Sequence, residues 1–194
     1  MHLIEVSEST FPSQTVAEAR AAYFRREGLG VEGYEARWVK LKAGPIPLFF
    51  PNSKARVRAV KLHDLHHVAT EYPTTWTGEA EIAAWELAAG CHHHHAAWVL
   101  NASAMAIGLV IAPRATYRAF VRGRHSRSLY EGEFSDDLLE LTLADLRQQL
   151  QLDTATSDAN ASDKLAFAGW VLALILPKLV ALGLIAWLAS RYWF

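Results

Sequence analysis

The sequence predicts an all-α protein, a helical bundle domain followed by a C-terminal apolar, membrane-associated helical segment. Three observations carry that expectation. Long stretches free of internal Gly and Pro alternate with clear stop signals, such as the run from Ser53 to Tyr72 that ends at Pro73. Residues Leu139, Leu143, Leu146 and Leu150 recur at helical spacing. Residues Leu165 to Ala189 are almost wholly apolar, and about 20 such residues are enough to span a bilayer. The expected division is a helical domain over 1–152, a polar linker over 153–163 and the apolar segment over 164–194.

The elements follow in order. Thr15-x-x-Glu18 is a capping box, in which each partner satisfies a backbone N–H of the other, and it opens a helix to about Glu27. The Gly- and Pro-rich stretch Gly28 to Pro51 reads as irregular, with Ile46-Pro47-Leu48-Phe49-Phe50 packed against the bundle. A helix over Ser53 to Tyr72 comes next. Thr75 or Thr77 caps another from Gly78 to about Ala89, which Gly90 ends. A long apolar helix runs from about His93 to Ala112 and stops at Pro113. Ser135 then caps a helix opened by Asp136 and Asp137, whose leucine stripe faces the core or another helix.

Within the apolar segment, Pro177 suggests a kink or a re-entrant hairpin. Lys178 near the middle would cost about 2.5–3.5 kcal/mol at a bilayer centre. Trp187, Tyr192 and Trp193 suit a membrane–water interface. A buried helix or an oligomer contact would be equally apolar. Arg114, Arg118, Arg122, Arg124, His125 and Arg127 form a basic stretch that suits anionic headgroups or the phosphate of a prenyl carrier. A solvated helix face is the plainer reading. If the arginines meet headgroups, the positive-inside rule puts them on the cytoplasmic leaflet.

Composition bounds the function. The 194 residues suffice for one domain with a real core and an appendage. A net charge of −1 carries no signal for nucleic acid, and none is expected as a partner. Cys91 stands alone, so no disulfide framework is expected. The start Met-His-Leu-Ile-Glu has no basic segment followed by an apolar run, so no signal peptide is expected.

The chemistry concentrates at His63-Asp64-Leu65-His66-His67 and Glu79. On a helix His63 and His67 lie about 40° apart and Asp64 about 60° beyond His67, so all three project from one face. Glu79 falls in the first turn of the next helix, where the helix dipole favours an ionised carboxylate. A short antiparallel helix pair would bring it back over the two histidines. Glu71, four residues after His67, is its rival. His66 points about 60° from His63 and is either a supporting donor or exposed. Mixed nitrogen and oxygen donors of this kind serve hydrolases and oxygen-handling enzymes. Cys91-His92-His93-His94-His95 also suggests metal, but four consecutive histidines cannot aim at one ion. His92 and His95 could pair, and the run is expected to be exposed and not catalytic.

The pattern His-Asp-x-x-His, eleven residues, Glu, met by His63, Asp64, His67 and Glu79, resembles the hallmark motif of the coenzyme Q (ubiquinone) biosynthesis protein four family. The surroundings also look like its bacterial members. They are Gly44-Pro45-Ile46-Pro47, Pro51-Asn52, Trp76-Thr77-Gly78-Glu79-Ala80-Glu81, Ala84-Trp85-Glu86 and Ala97-Trp98-Val99-Leu100-Asn101. The resemblance runs from about Thr15 to Tyr130 and leaves the C-terminal third uncovered.

It implies a membrane enzyme that removes the C1 carboxyl of a polyprenylated hydroxybenzoate precursor and places a hydroxyl there. His63, Asp64, His67 and Glu79 would hold one divalent ion, zinc or iron(II), and carry the catalysis. The implied location is the cytoplasmic face of the bacterial inner membrane. The prenyl tail would lie along Trp98 to Ile111, and other quinone-biosynthesis enzymes or a second copy would be partners. The resemblance equally admits a non-catalytic, prenyl-lipid-binding scaffold. Two rivals fit less of the sequence. A di-iron membrane desaturase needs several histidine boxes beyond His63-x-x-His66-His67, and an HD-type phosphohydrolase needs an upstream histidine where only His2 stands.

Overall fold

A computed structural model describes residues 14–43, 46–152 and 159–193, and it is all-α in its main architecture. Helix α1 (Val16–Glu27) starts as the capping box dictates: Thr15 accepts the Glu18 N–H, and Glu18 accepts the Thr15 N–H. A short helix α2 (Glu32–Glu35) follows.

The stretch expected to be irregular then forms an antiparallel hairpin of β1 (Trp38–Ala43) and β2 (Ile46–Pro51). Its register runs from Trp38↔Pro51 to Ala43↔Ile46. The prolines argued against strands, yet a two-stranded hairpin has two free edges, where a residue without an N–H is tolerated. Pro47 and Pro51 are an even number of residues apart, so their nitrogens face the same way. The expected packing of Ile46 to Phe50 concerns side chains outside the described residues, as do Gly44 and Pro45.

Three helices build the centre. Helix α3 (Lys54–Thr70) is capped by Ser53 and stops where Glu71 turns left-handed, at φ 64°. Helix α4 (Trp76–Ala89) is capped by Thr75, whose hydroxyl accepts the Gly78 N–H. Helix α5 (His95–Ile111) begins two residues later than expected, because residues 91–94 form a turn. Pro113 both ends that apolar run and opens α6 (Pro113–Arg124), as the first helical position needs no N–H donor.

Helices α5 and α6 press onto α4 through two glycines. A Cβ on Gly108 would come within 2.5 Å of the Ala80 Cβ, and one on Gly123 within 2.3 Å of the Trp85 carbonyl oxygen. Leu62, Leu65, Trp85, Met105, Phe120 and Tyr130 fill the core between them.

The leucine stripe is split into α7 (Asp137–Glu140) and α8 (Leu143–Gln149). Leu141 is extended, and Thr142 starts a fresh helix by accepting the Asp145 N–H at 3.0 Å. Leu146 and Leu150 are still buried, with Leu139 and Leu143 partly so.

The last helix, α9 (Ala161–Trp193), begins inside the expected linker. Of that linker, residues 153–158 lie outside the described residues. Asn160 and Asp163 cap each other reciprocally, and Asp163 is fully buried against Arg124 and His125. The helix continues through Pro177, so the hairpin reading of that proline is corrected. From Ala161 to Arg191 it is long and apolar enough to cross a membrane, and very little of it is buried. The buried-helix reading of the apolar segment therefore falls away.

Candidate metal centre

Helix α3 presents His63 and His67 one turn apart, and the first turn of α4 brings Glu79 over them, as the motif spacing requires. The two Nε2 atoms are 3.1 Å apart. Glu79 Oε1 lies 3.5 Å from His67 Nε2, and Oε2 lies 3.7 Å from His63 Nε2. One donor atom from each of the three residues can be chosen so that all lie within 4.8 Å of one another, a group that could hold a metal ion.

The second hydrogen bond of each histidine decides what its Nε2 can do. His67 Nδ1 faces the Tyr72 carbonyl oxygen at 2.8 Å, and a carbonyl can only accept, so Nδ1 carries the hydrogen. His63 Nδ1 donates to Glu86 Oε1 at 2.8 Å. With both rings neutral, two Nε2 lone pairs would face each other at 3.1 Å. That arrangement calls for a cation between them, either a proton or a metal ion. Ligand nitrogens about 2.0–2.1 Å from an ion stand at close to this separation. The donor set therefore fits a divalent ion on its own chemistry.

The charges agree. Burial works against the imidazolium of His63, but Glu86 and Glu79 outweigh it and raise its pKa well above the usual value. Burial likewise works against an ionised Glu79, yet the His63 and His67 rings beside it bring its pKa down to about 2. A proton between the two nitrogens would satisfy them without metal, and a divalent ion would displace it. The Glu79 side chain is 39% exposed, which leaves the group open to solvent on one side. The His67 ring is held from behind by Tyr23, stacked at 5.6 Å.

Asp64, expected as a fourth ligand, falls outside the close group. Its Oδ2 accepts the Tyr34 hydroxyl instead. Asn52 holds Tyr34 there by donating its side-chain amide to the carbonyls of Gly33, Tyr34 and Ala36. Burial raises the Asp64 pKa, and the Tyr34 hydrogen bond opposes the rise. Glu71, the sequence rival of Glu79, turns away at the end of α3 and pairs with Arg147 at 3.3 Å.

The residue that sequence reasoning missed is Glu86. It is fully buried and accepts from His63, from His66 at 2.7 Å, from Asn101 and from the Tyr130 hydroxyl at 3.1 Å. Burial alone would keep it protonated, but His63 foremost holds it ionised, well below the usual carboxylate range. His66 is neither exposed nor a ligand. Burial lowers its pKa, its Nδ1 donates to Glu86, and its Nε2 accepts the Leu129 N–H at 2.9 Å. A signal for Glu86 exists in the sequence. It lies two helical turns after Glu79, as the one charged residue in Ile82-Ala83-Ala84-Trp85-Glu86-Leu87. A carboxylate buried in an apolar run needs partners.

A second group, His93, His94 and Glu133, also places donor atoms within 4.8 Å of one another, with His93 and Glu133 exposed. His94, expected at the surface, is buried beside Tyr130 and donates its Nε2 hydrogen to the Gly132 carbonyl. Among the arginines, Arg122 donates to the Thr70 carbonyl and Arg124 pairs with Asp163, while Arg114 and Arg118 are exposed.

No protein-family model, no curated protein and no solved structure matches the chain.

Proposed function

We propose that this protein is a metal-dependent enzyme of ubiquinone biosynthesis. Its substrate would be a polyprenylated hydroxybenzoate, reached at the cytoplasmic face of a bacterial inner membrane. The carrying observation is the His63–His67–Glu79 group with both histidine tautomers fixed for ligation. The His-Asp-x-x-His…Glu pattern supplies the substrate class by resemblance, and the apolar α9 supports the membrane setting.

Two histidines and one carboxylate with open positions suit iron(II), and zinc fits the same donors. A divalent ion held there supplies Lewis acidity toward the ring carboxylate and phenolic oxygen. Replacing the ring carboxyl by hydroxyl is a two-electron oxidation, in which water would supply the hydroxyl oxygen, carbon dioxide would leave and dioxygen would take the two electrons to become hydrogen peroxide. The residues of the chain do the rest. Glu86 and the Tyr72 carbonyl keep His63 and His67 aimed. Glu79 stays ionised and open to solvent. Asp64, raised in pKa and bonded to Tyr34, can hold or release a proton at the edge of the group. A scaffold with a purely structural ion is the second reading, and a closed set of His63, Asp64, His67 and Glu79 would suit it, whereas Asp64 Oδ2 here accepts from Tyr34.

The test is mass spectrometry of quinone precursors in a bacterium lacking its own ring decarboxylase and C1 hydroxylase. Cells carrying this protein should clear the carboxylated precursor and make quinone, and cells carrying His67→Ala should not. Persistence of the precursor with well-expressed, membrane-attached wild type would overturn the catalytic reading in favour of the scaffold.

A further inference from the structure

Helix α9 has two parts. At its start Asp163 is buried against Arg124 and His125 of the α6 end. Next, Phe167 meets Tyr117 at 4.9 Å and Phe120 at 5.3 Å, edge-on. Trp170 then stacks on Trp98 of α5 at 5.8 Å. Leu174 is the last buried residue described on α9. The helix thus crosses α6, reaches α5 and leaves the domain beside it. Ile175 to Trp193 remain, about 28 Å at 1.5 Å per residue. That matches the roughly 30 Å hydrocarbon thickness of a bilayer. The docked stem also moves Lys178 to one turn from the domain, near the headgroups rather than at the bilayer centre.

Helix α5, beside that exit, has no Asp, Glu, Lys or Arg from His95 to Ile111. Its inner side carries Asn101, Met105 and Gly108 toward α4. Its outer side exposes Val99 (67%), Leu100, Ile107, Val110 (81%) and Ile111. On a helical wheel these five fall within about 120° of one another. No carboxylate occurs between Glu86 and Glu131, and the exposed Arg114 and Arg118 follow directly after α5.

We propose that the outer face of α5 lies in the surface of the same bilayer that α9 crosses. Its occupant is a membrane with anionic lipid. Val99, Leu100, Ile107, Val110 and Ile111 enter the boundary between headgroups and acyl chains, and Arg114 and Arg118 meet the phosphates. Continuity with α9 and an outer face of α5 without a charged side chain single out lipid over a protein partner, with Arg114 and Arg118 at its end and Glu81 of α4 within electrostatic reach of Arg118. Asn101, on the inner side of α5, donates to Glu86, so the histidine–carboxylate group stands one helix away from that surface. The inference does not depend on the reaction proposed above.

The test uses the full chain in vesicles of phosphatidylcholine and phosphatidylglycerol. An environment-sensitive fluorophore is attached at Val99→Cys, Val110→Cys, Leu182→Cys on α9, or Glu140→Cys on α7, with Cys91 buried and silent. Spin-labelled lipid should quench the labels at Val99 and Val110 to an extent comparable with Leu182. The Glu140 label should respond only to aqueous iodide. A Ser103→Cys label on the same α5 face repeats the reading if either valine variant misfolds. Iodide quenching at Val99 and Val110 alongside lipid quenching at Leu182 would overturn the proposal, leaving α9 a tether for a domain that stands off the bilayer. Labels on α5 shielded from both quenchers would also overturn it, in favour of a second protein copy.

Discussion

At the residue scale, Glu86 is placed to influence an ion at the His63–His67–Glu79 group without touching it. Its carboxylate fixes the His63 tautomer, and partners of this kind typically set 10–100-fold of metal affinity. Glu86→Gln keeps the size but removes the charge. Metal affinity measured by chelator competition should fall by roughly that factor of 10–100. Wild-type affinity would assign Glu86 to packing alone.

Acidity gives a second expectation. The folded pKa of His63 is raised, so its contribution to the stability of metal-free protein is complete below the unfolded value near 6.5 and is lost as pH rises through the folded value. His66, with a lowered pKa, acts in the opposite sense. The wild-type minus His63→Gln difference in thermal stability isolates the first effect and should shrink from pH 6.5 upward. A difference that grows with pH would reverse the assignment. Of the four residues the sequence singled out, His63, His67 and Glu79 come together, the two histidines because residues one helical turn apart share a face, while Asp64 is drawn to Tyr34 by a contact from far along the chain. The hub role of Glu86 was not legible, because its partners come from α3, α5 and the segment at Tyr130, far apart along the chain.

At the element scale, close helix approach is paid for in side-chain volume. Gly108 sits where a Cβ would meet Ala80 and the Thr116 hydroxyl. Gly108→Ala should destabilise by about 1–3 kcal/mol in denaturant unfolding, by overpacking. A neutral result would mean that α4 and α5 can separate freely. Thr142→Ala removes the α8 cap and should cost about 1 kcal/mol. Helix starts were legible at Thr15, Ser53 and Thr75 because a capping side chain acts within its own turn. The β hairpin was hidden by prolines that a free edge accommodates. The break before Thr142 was hidden because leucine spacing alone does not register an extended residue at Leu141.

At the scale of the whole molecule, a helix visible from composition turns out to be half docked stem and half exposed apolar helix, long enough as a whole to cross a membrane. The apolar run is local information. Its division at Leu174 depends on Asp163, Phe167 and Trp170 finding partners on α5 and α6. Asp163→Ala should loosen that stem while leaving the span in the bilayer. Limited proteolysis of membrane-bound protein should then cut faster near residue 160, while alkaline carbonate should still fail to extract the chain. Unchanged cleavage would mean that the aromatic contacts alone hold the stem.

The central claim is that His63, His67 and Glu79 hold one divalent ion. Elemental analysis of protein purified from membranes without an affinity tag tests it most directly. Glu133→Ala serves as background, because it disables the exposed His93–His94–Glu133 group. One zinc or iron per chain in that background, lost on adding His67→Ala, is the expected result. Metal content that persists without His67 and disappears with Glu133→Ala alone would contradict the account.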